Sequence, residues 1–424
     1  MITILKNGRV IDPASGKDGV YNVIIEDGII KDVCNFECEA DRVIDVEGCF
    51  VMPGLVDLHV HFREPGFEYK ETIKTGSMAA ARGGVTTVLP MPNTKPVIDS
   101  VEMVERVNEI IKKDAVVNVL LVASVTLGQE GVTPVDIKAL HKAGVIAVSE
   151  DGKSVMNAEV YREAMRACAD CGMVVLAHCE DKNMVNGGAL NQGSKSEELG
   201  IKGISNAVED VIVARDILLA KETGCKLHLC HCSTQDSVAM IKAAKEDGIK
   251  VSGEVCPHHF TLCDEDIPGD NADWKMNPPL RGRKDVETLK NGLKLGIMEA
   301  ISTDHAPHSE EEKKKSIASA PFGITGLETS LCLTYTELVL KGVLTPMQMV
   351  EKMSYNPAKI IGIDRGTLLP GAVADITVMD PEKEFIIDRN DFVSKGKNTP
   401  FDGRKVKGKV KLTMVGGKIV YEEN

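Results

Sequence analysis

Short apolar runs alternate with amphipathic segments from residue 52 to about residue 340. The amphipathic segments have helical spacing, as in SVEMVERVNEIIKKD (100–114) and NAEVYREAMRACADCG (157–172), and several end at glycine, which often follows a last helical turn. Eight apolar runs are typical of buried strands: VDLHVHF, VTTVLPMPN, VNVLLVASV, VIAVSEDG, MVVLAHCE, KLHLCHCS, IKVSGEVCPHH and MEAISTDHAPH. Eight strands with helices between them predict an α/β protein with a (β/α)8 TIM-like barrel over 52–365. A doubly wound open sheet is the alternative, which the count of eight and the length disfavour.

The two ends of the chain have a different pattern. Residues 1–51 contain ITILKNGRVID, VYNVIIEDGIIKDV and DRVIDVEGCFV, and residues 366–424 contain VADITVMD and KVKLTMVGGKIVYEEN. These are short strands separated by turns, without helical periods. We therefore predict one small composite β-sandwich domain built from 1–51 and 366–424, with the barrel inserted between its halves.

Composition narrows the class of protein. With 424 residues, 43% of them apolar, the chain can bury a large core, and its formal net charge of −13 argues against nucleic acid or an anionic membrane as a partner. No apolar run approaches the roughly 20 residues of a membrane span. The first residues, MITILKNGRV, do not resemble a signal peptide, so we expect a cytoplasmic protein whose 12 scattered cysteines are free thiols.

Candidate chemistry gathers where the predicted strands end. In a TIM-like barrel the carboxyl ends of all strands meet at one rim, where active sites lie. Six metal-ligating side chains stand at such ends: His59, His61, Asp151, His178, His231 and Asp304. Imidazoles and carboxylates suit Zn²⁺ best, and two ions about 3.5–4 Å apart that share a carboxylate would leave an open face for a bridging hydroxide. The pattern predicts metal-assisted hydrolysis.

Arg63 belongs to the same stretch, GLVDLHVHFREPG (54–66). Alternate residues of an extended segment share a face, so His59, His61 and Arg63 are predicted to project together. A guanidinium beside a metal pair indicates an anionic group on the substrate.

The remaining histidines are less informative. We expect His228 to be a structural histidine on the opposite face of its strand and His141 to be on the surface, while His258, His259 and His305 stay open between support of the site and structure.

Several motifs together resemble the dihydroorotase family of the amidohydrolase superfamily. They are PGLVDLHVHFREPG, GGVTTVLPMPNT, SEDGK, AHCE, CHCST and STDHAPH, and the similarity spans nearly the whole chain. The resemblance implies reversible conversion of dihydroorotate to N-carbamoyl-L-aspartate in pyrimidine biosynthesis. It makes His59, His61 and Asp304 ligands of one zinc, and His178 and His231 ligands of the other. Asp304 would also be the catalytic acid and base.

One position departs from many relatives, which bridge their metals with a carbamylated lysine. This sequence has Asp151 at the matching point, and the register of SEDGK favours Asp151 over Lys153 and over Glu150. The resemblance therefore implies two Zn²⁺ per chain, bridged by Asp151 and a hydroxide. It also implies substrate-binding residues, which hold the carboxylate or line the ring: Arg63, Asn93, His308, Asn277, Phe322 and Gly323.

Two alternative functions remain at this stage. An allantoinase or dihydropyrimidinase-type hydrolase shares the barrel and the His-x-His pair, but it would not need the carboxylate clamp of Arg63 and Asn93. A non-catalytic homologue that serves as a scaffold for aspartate transcarbamoylase would be expected to have lost metal ligands. We predict that the protein binds a small-molecule substrate and forms a homodimer, and that it binds neither nucleic acid nor a membrane. Association with aspartate transcarbamoylase is an open possibility.

Overall fold

A computed structural model describes residues 1–36 and 39–423. The chain begins with five strands of a terminal sheet: β1 (Ile2–Asp12), β2 (Lys17–Glu26), β3 (Ile29–Cys34), β4 (Arg42–Asp45) and β5 (Phe50–Pro53). The barrel follows, with β6 (Leu55–Val60), β7 (Val85–Pro90), β8 (Asn118–Val119), β9 (Val122–Ser124), β10 (Ala147–Ser149), β11 (Val174–Ala177), a small accessory pair β12 (Leu190–Asn191) and β13 (Gly203–Ile204), then β14 (Lys226–Leu229), β15 (Val251–Val255) and β16 (Ala300–Ile301). Each of the eight predicted barrel runs contains a strand, and the third run is split into β8 and β9.

The barrel is closed by pairing between its first and last strands. Strands β6, β7 and β8 pair in parallel, and so do β9, β10, β11, β14, β15 and β16. At the seam, Val60 forms a parallel bridge with His305, and the His61 N–H donates to the His305 carbonyl at 2.8 Å. The predicted (β/α)8 barrel is confirmed, and the open sheet is wrong.

The barrel is surrounded by helices whose ends follow local capping rules. The helices are α1 (Ile73–Arg82), α2 (Val101–Asp114), α3 (Ile137–Lys142), α4 (Ala158–Cys171), α5 (Lys182–Val185), α6 (Ser194–Glu198), α7 (Ala207–Thr223), α8 (Gln235–Glu246), α9 (Pro257–Thr261), α10 (Arg283–Lys294), α11 (Glu310–Lys313), α12 (Ser330–Thr334), α13 (Pro346–Val350) and α14 (Asn356–Ile361). In α4 the Asn157 side chain accepts from two first-turn N–H groups, Tyr161, Met165 and Cys168 are buried, and Gly172 ends the helix at φ 71°. Glycine tolerates that left-handed conformation, so the predicted stop is confirmed.

The two chain ends form one sheet. Strands β17 (Ile376–Ile386), β18 (Lys405–Val415) and β19 (Lys418–Glu422) complete the order β19-β18-β17-β5-β1-β2-β3, with β4 paired to β1. The antiparallel pair of β5 and β17 joins the two halves. Apolar side chains from both halves meet in one core, separate from the barrel core, that includes Leu5, Val23, Ile376 and Leu412. The predicted sheet from both chain ends is confirmed.

Two further findings concern the described residues. None of their helices is long and apolar enough to cross a membrane. Apart from Cys34, their cysteines are free thiols, as expected, and most are buried. Cys38 lies outside the described residues.

Candidate active site

The six predicted metal-ligating residues meet at the carboxyl ends of the barrel strands. His59 and His61 belong to the end of β6, and Asp151, His178 and His231 follow β10, β11 and β14. Asp304 follows β16 across the seam from β6. All six are buried. A barrel brings these ends together because its strands are parallel and adjacent, whatever their separation along the chain.

Asp151 lies at the centre of the histidines. Its Oδ1 is 3.2 Å from His59 Nε2, 3.4 Å from His178 Nδ1 and 3.7 Å from His231 Nε2. Its Oδ2 is 3.4 Å from His61 Nε2. One carboxylate therefore lies beside all four imidazoles. Its Oδ1 faces His59, His178 and His231, and its Oδ2 faces His61.

Two sets of possible ligands share this carboxylate. His59, His61 and Asp151 form one group, Asp151, His178 and His231 form another, and the donor atoms within each lie within 4.8 Å of one another. Asp304 Oδ1 adjoins the first group, at 3.1 Å from His61 Nε2 and 3.5 Å from His59 Nε2.

The donor atoms fit divalent metal ions. His59 Nε2 faces Asp151 and is buried without a hydrogen-bond partner among the described residues. The ring nitrogens of His178 and His231 that face Asp151, Nδ1 and Nε2, lie 2.9 Å from each other. Leaving buried polar atoms unpaired costs about 1–3 kcal/mol each, and a metal ion removes that cost at any atom it coordinates. A set of four imidazoles with two carboxylates is typical of Zn²⁺ and of neighbouring transition metals.

The charges of the cluster depend on one another. Burial alone raises the pKa of Asp304, but the imidazoles of His59 and His61 outweigh burial and lower it to about 2. Burial lowers the pKa of His59, and here Asp151 and Asp304 outweigh it and raise the pKa well above its ordinary value. Asp304 is therefore ionised at neutral pH and can accept a proton.

Three residues of the site have an unusual backbone conformation. Arg63, His231 and Asp304 have φ values of 62°, 35° and 48°. Non-glycine residues in this region cost of the order of 1–3 kcal/mol and persist where the surrounding structure holds them. The fold therefore fixes the direction of these side chains at the expense of stability.

A cavity of about 160 Å³ opens beside the cluster. It brings together most of the predicted substrate-binding residues, and those that line it are Arg63, Asn93, Asn277, Phe322 and Gly323. Asn93 also contacts the cluster: its Oδ1 accepts from His61 Nδ1 at 3.0 Å, and its Nδ2 donates to Asp151 Oδ2 at 3.4 Å. Gly152 and Ala306 line the cavity without having been predicted.

His308 lies behind Arg63 and lines a neighbouring cavity. Its Nε2 donates to the Phe322 carbonyl at 2.8 Å and is 3.4 Å from Arg63 Nη2, while its Nδ1 accepts from Lys70 Nζ at 3.2 Å. Burial first, and then Arg63 and Lys70, lower the pKa of His308 to about 2. His308 is therefore a neutral imidazole that contacts the arginine. Lys70, which sequence reasoning missed, sits in the loop after β6.

Glu254, which sequence reasoning missed, pairs with His228 directly behind the cluster. Glu254 is fully buried on β15, and its Oε1 accepts from His59 Nδ1 at 3.3 Å and from the His231 N–H at 3.1 Å. Its Oε2 accepts from His228 Nε2 at 3.0 Å, and His228 Nδ1 is 2.8 Å from Ser252 Oγ. A carboxylate behind a ligating histidine orients its ring. His228 has the structural role that was predicted for it. Through Glu254 it supports His59, a residue of the site.

The side chains of Lys153, Glu150 and His305, which the sequence disfavoured or left open as parts of the site, contact residues outside the cluster. Lys153 Nζ donates to the Gln129 carbonyl at 3.2 Å, away from Asp151, and Glu150 accepts from the N–H groups of Val125 and Thr126. His305 Nδ1 accepts from the Gly326 N–H at 3.2 Å, and its Nε2 contacts Glu71.

His141 is exposed on α3. His258 and His259 are buried at the start of α9 and make no hydrogen bond to the six clustered residues among those described.

Comparison with known proteins identifies the family. A family model described as dihydro-orotase-like matches residues 48–237. The chain is 48% identical over 424 residues to a dihydroorotase of Pelotomaculum thermopropionicum, covering 100% of this chain and 99% of the relative. It is also 48% identical over 428 residues to a dihydroorotase of a Geobacillus species, with the same coverage.

Solved structures agree in fold. The L-hydantoinase (dihydropyrimidinase) from Arthrobacter aurescens superposes with a TM-score of 0.88 at 28% identity, over 100% of this chain and 96% of the other. A D-hydantoinase reaches 0.87 at 23% identity, covering 100% and 95%, which supports the fold alone. Since nearly half of all positions match curated dihydroorotases over its full length, the chain belongs to the dihydroorotase family.

Proposed function

We propose that this protein is a dihydroorotase, which reversibly hydrolyses the cyclic amide of dihydroorotate to N-carbamoyl-L-aspartate in de novo pyrimidine biosynthesis. The observation that carries the proposal is that Arg63 and the histidine–aspartate cluster line one cavity. The Arg63 guanidinium can recognise a carboxylate, and the cluster provides hydrolytic chemistry at the adjacent ring amide. Full-length identity to curated dihydroorotases supports the same assignment.

We propose two zinc ions as the cofactor. His59, His61 and Asp304 would hold one, His178 and His231 would hold the other, and Asp151 would serve both. The position of Asp151 among all four imidazoles supports this arrangement. When bound, zinc supplies Lewis acidity, which lowers the pKa of water to about 7 and polarises a carbonyl group.

The side chains of the protein position the substrate and move the proton. Arg63 pairs with the substrate carboxylate, with His308 behind it, while Asn93, Asn277 and the Phe322–Gly323 segment surround the ring. During hydrolysis, water adds to the ring carbonyl carbon and the ring C–N bond breaks. Asp304 accepts the proton from water and delivers it to the departing nitrogen. The product carries a new carboxylate, so hydrolysis releases one proton overall and alkaline pH favours it.

A hydantoinase or dihydropyrimidinase-type activity is the second candidate, because the chain superposes closely on the Arthrobacter enzyme. Arg63 distinguishes the two, since it is half-buried and lines the cavity, and the carboxylates that act most strongly on its charge, Asp304 and Asp151, belong to the cluster. A neutral cyclic imide offers no carboxylate for that charge, and neither does allantoin. We therefore favour dihydroorotate.

The organisation of the protein in the cell is also a proposal. We propose a β-sandwich domain of 1–51 and 366–424 and a catalytic domain of 52–365, a division supported by the pairing of β5 with β17. We further propose a cytoplasmic homodimer. Association with aspartate transcarbamoylase stays a prediction from the resemblance.

The test compares turnover with metal content. Purified protein is assayed with dihydroorotate, allantoin, hydantoin and dihydrouracil, before chelation, after chelation and after zinc is restored. We expect about two zinc ions per chain and zinc-dependent turnover of dihydroorotate in preference to the others. Asp304→Asn should abolish both directions together, since one group has both roles. Faster turnover of a neutral ring would favour the second candidate, and no turnover of any ring would favour the non-catalytic scaffold.

A further inference from the structure

Cys256, His258 and His259 form a second cluster of metal-ligating side chains, which the proposed mechanism does not use. They lie where β15 ends and α9 begins, and their exposed fractions are 0%, 2% and 1%. A thiol sulfur and one ring nitrogen from each histidine lie within 4.8 Å of one another, and the two ring centroids are 4.2 Å apart. The three residues share no member with the groups around Asp151.

The two imidazoles keep unpaired nitrogens. His259 Nε2 is 2.9 Å from the Pro278 carbonyl, and because a carbonyl only accepts, that nitrogen carries the hydrogen. His259 Nδ1 therefore holds a lone pair, and it is buried with no hydrogen-bond partner among the described residues. His258 Nε2 is likewise buried with no hydrogen-bond partner among the described residues. Each unpaired buried atom costs about 1–3 kcal/mol, so two of them in one cluster call for a ligand.

The electrostatic environment favours a cation. Burial lowers the pKa of both imidazoles, that of His259 to about 4, so both rings are neutral and their lone pairs are available at pH 7. Burial raises the pKa of the Cys256 thiol, and the carboxylates of Asp304 and Glu254 raise it further. The site is thus neutral when empty and lies in a negative field, and a bound cation would displace the thiol proton.

We propose that Cys256, His258 and His259 bind a single ion of the zinc class, separate from the ions of the catalytic cluster. One sulfur and two imidazole nitrogens are a common ligand set for Zn²⁺, with a fourth position for water. Donors around one tetrahedral ion stand about 3.5 Å apart, which is within the 4.8 Å limit that contains these three donor atoms. The ion would tie β15 to α9 and, through His259 and Pro278, would fix the segment that presents Asn277 to the substrate cavity.

The presence of sulfur makes the site observable without an activity assay. The residues proposed to hold the catalytic metals are histidines and aspartates, so an ion held by them alone should give no thiolate-to-cobalt charge-transfer band in the near ultraviolet, whereas an ion bound to Cys256 should give one. Cys230, which lies beside His59 and Glu254, is the other thiol that could produce such a band. The intact protein is stripped of metal and titrated with Co²⁺, while bound cobalt and the band are measured. We expect the band to appear with one equivalent of cobalt beyond those bound by the catalytic cluster.

Matched cysteine variants locate the band. Cys230→Ser is the control, since Cys230 is an equally buried thiol that adjoins His59 and Glu254. Cys256→Ser should lose the band and one equivalent of cobalt, whereas Cys230→Ser should keep both. If Cys256→Ser does not fold, His258→Gln replaces it and should lose the extra equivalent. Absence of the band in the wild-type protein, or its loss in Cys230→Ser alone, would overturn the proposal. Because dihydroorotate turnover is not part of the readout, failure here leaves the proposed function untouched.

Discussion

Replacing Glu254 by glutamine tests whether the carboxylate behind the cluster governs metal binding. Glu254 accepts three hydrogen bonds in a fully buried position, from His59, His228 and the His231 N–H. Burial raises the pKa of Glu254, but His228 and His59 outweigh it and hold the pKa far below its usual value, so the group is ionised. Glutamine keeps the shape and removes the charge. His228 can adapt, because it can donate from Nδ1 to Ser252 Oγ and accept from the new amide at Nε2.

The expected loss follows from the three bonds. A hydrogen bond to a charged group contributes about 1.5–3 kcal/mol and one between neutral groups about 0.5–1.5 kcal/mol, so Glu254→Gln should lower the free energy of unfolding by about 3 kcal/mol. The ring of His59 also loses its charged orienting partner. Changes at such positions weaken metal binding about 10- to 100-fold.

Two measurements are needed on the same variant. Urea denaturation gives the free energy of unfolding, and competition with a chelator gives the affinity for zinc. Ser252→Ala is the control, because it removes only the outer end of the chain of hydrogen bonds. It should leave zinc affinity within about threefold, well short of the 10- to 100-fold loss expected for Glu254→Gln. If Glu254→Gln unfolded more easily yet bound zinc as tightly as the wild type, Glu254 would be a structural residue and the reasoning would be wrong.

Three further substitutions test separate parts of the site. Asp151→Ala should lose most of the second metal equivalent and most activity, as measured by metal analysis and turnover. Lys153→Ala should keep both, and metal loss in that variant would contradict the assignment of Asp151. Arg63→Lys should raise KM for dihydroorotate at least tenfold with unchanged metal content, because an ammonium cannot reproduce a two-point contact with a carboxylate. His308→Gln should make the protein less sensitive to acid. The folded pKa of His308 is about 2, below the roughly 6.5 of an unfolded histidine. The unfolded state therefore binds the extra proton below pH 6.5, and wild-type stability falls as the pH drops. Between pH 6.5 and 4.5 the wild type should lose up to about 3 kcal/mol more than the variant in denaturant titrations; equal losses would refute the assignment.

The sequence was sufficient to predict the six clustered residues because a barrel converts order along the chain into proximity. Each of His59, Asp151, His178, His231 and Asp304 ends an apolar run, and parallel closure brings such ends to one rim whatever lies between them. No knowledge of register was required. The same reasoning predicted the two-ended sheet, because only the ends lack helical periods.

Glu254 and His228 could not be predicted in the same way. Their contact depends on which residues of β14 and β15 lie opposite each other, and the structure pairs His228 with Ser252. A shift of one residue would turn Glu254 to the other face. The one sequence signal was a charged residue inside the otherwise buried run VSGEV. Lys70 and His308 meet through loops, whose paths no periodic pattern specifies.

The seam between β6 and β16 has a consequence for biosynthesis. His59 and Asp304 are 245 positions apart, yet His59 Nε2 and Asp304 Oδ1 lie 3.5 Å from each other, on opposite sides of the closing bridge, and both are proposed ligands of one metal ion. At about 5–20 residues per second, a ribosome takes roughly 12–50 s to travel from one codon to the other. Throughout that interval the nascent chain carries the first histidines without the aspartate that completes their group. A messenger truncated before codon 304 would therefore yield a polypeptide that lacks both the closed barrel and Asp304, the carboxylate proposed to accept the proton. Hydrolytic activity therefore requires that translation has passed the last strand.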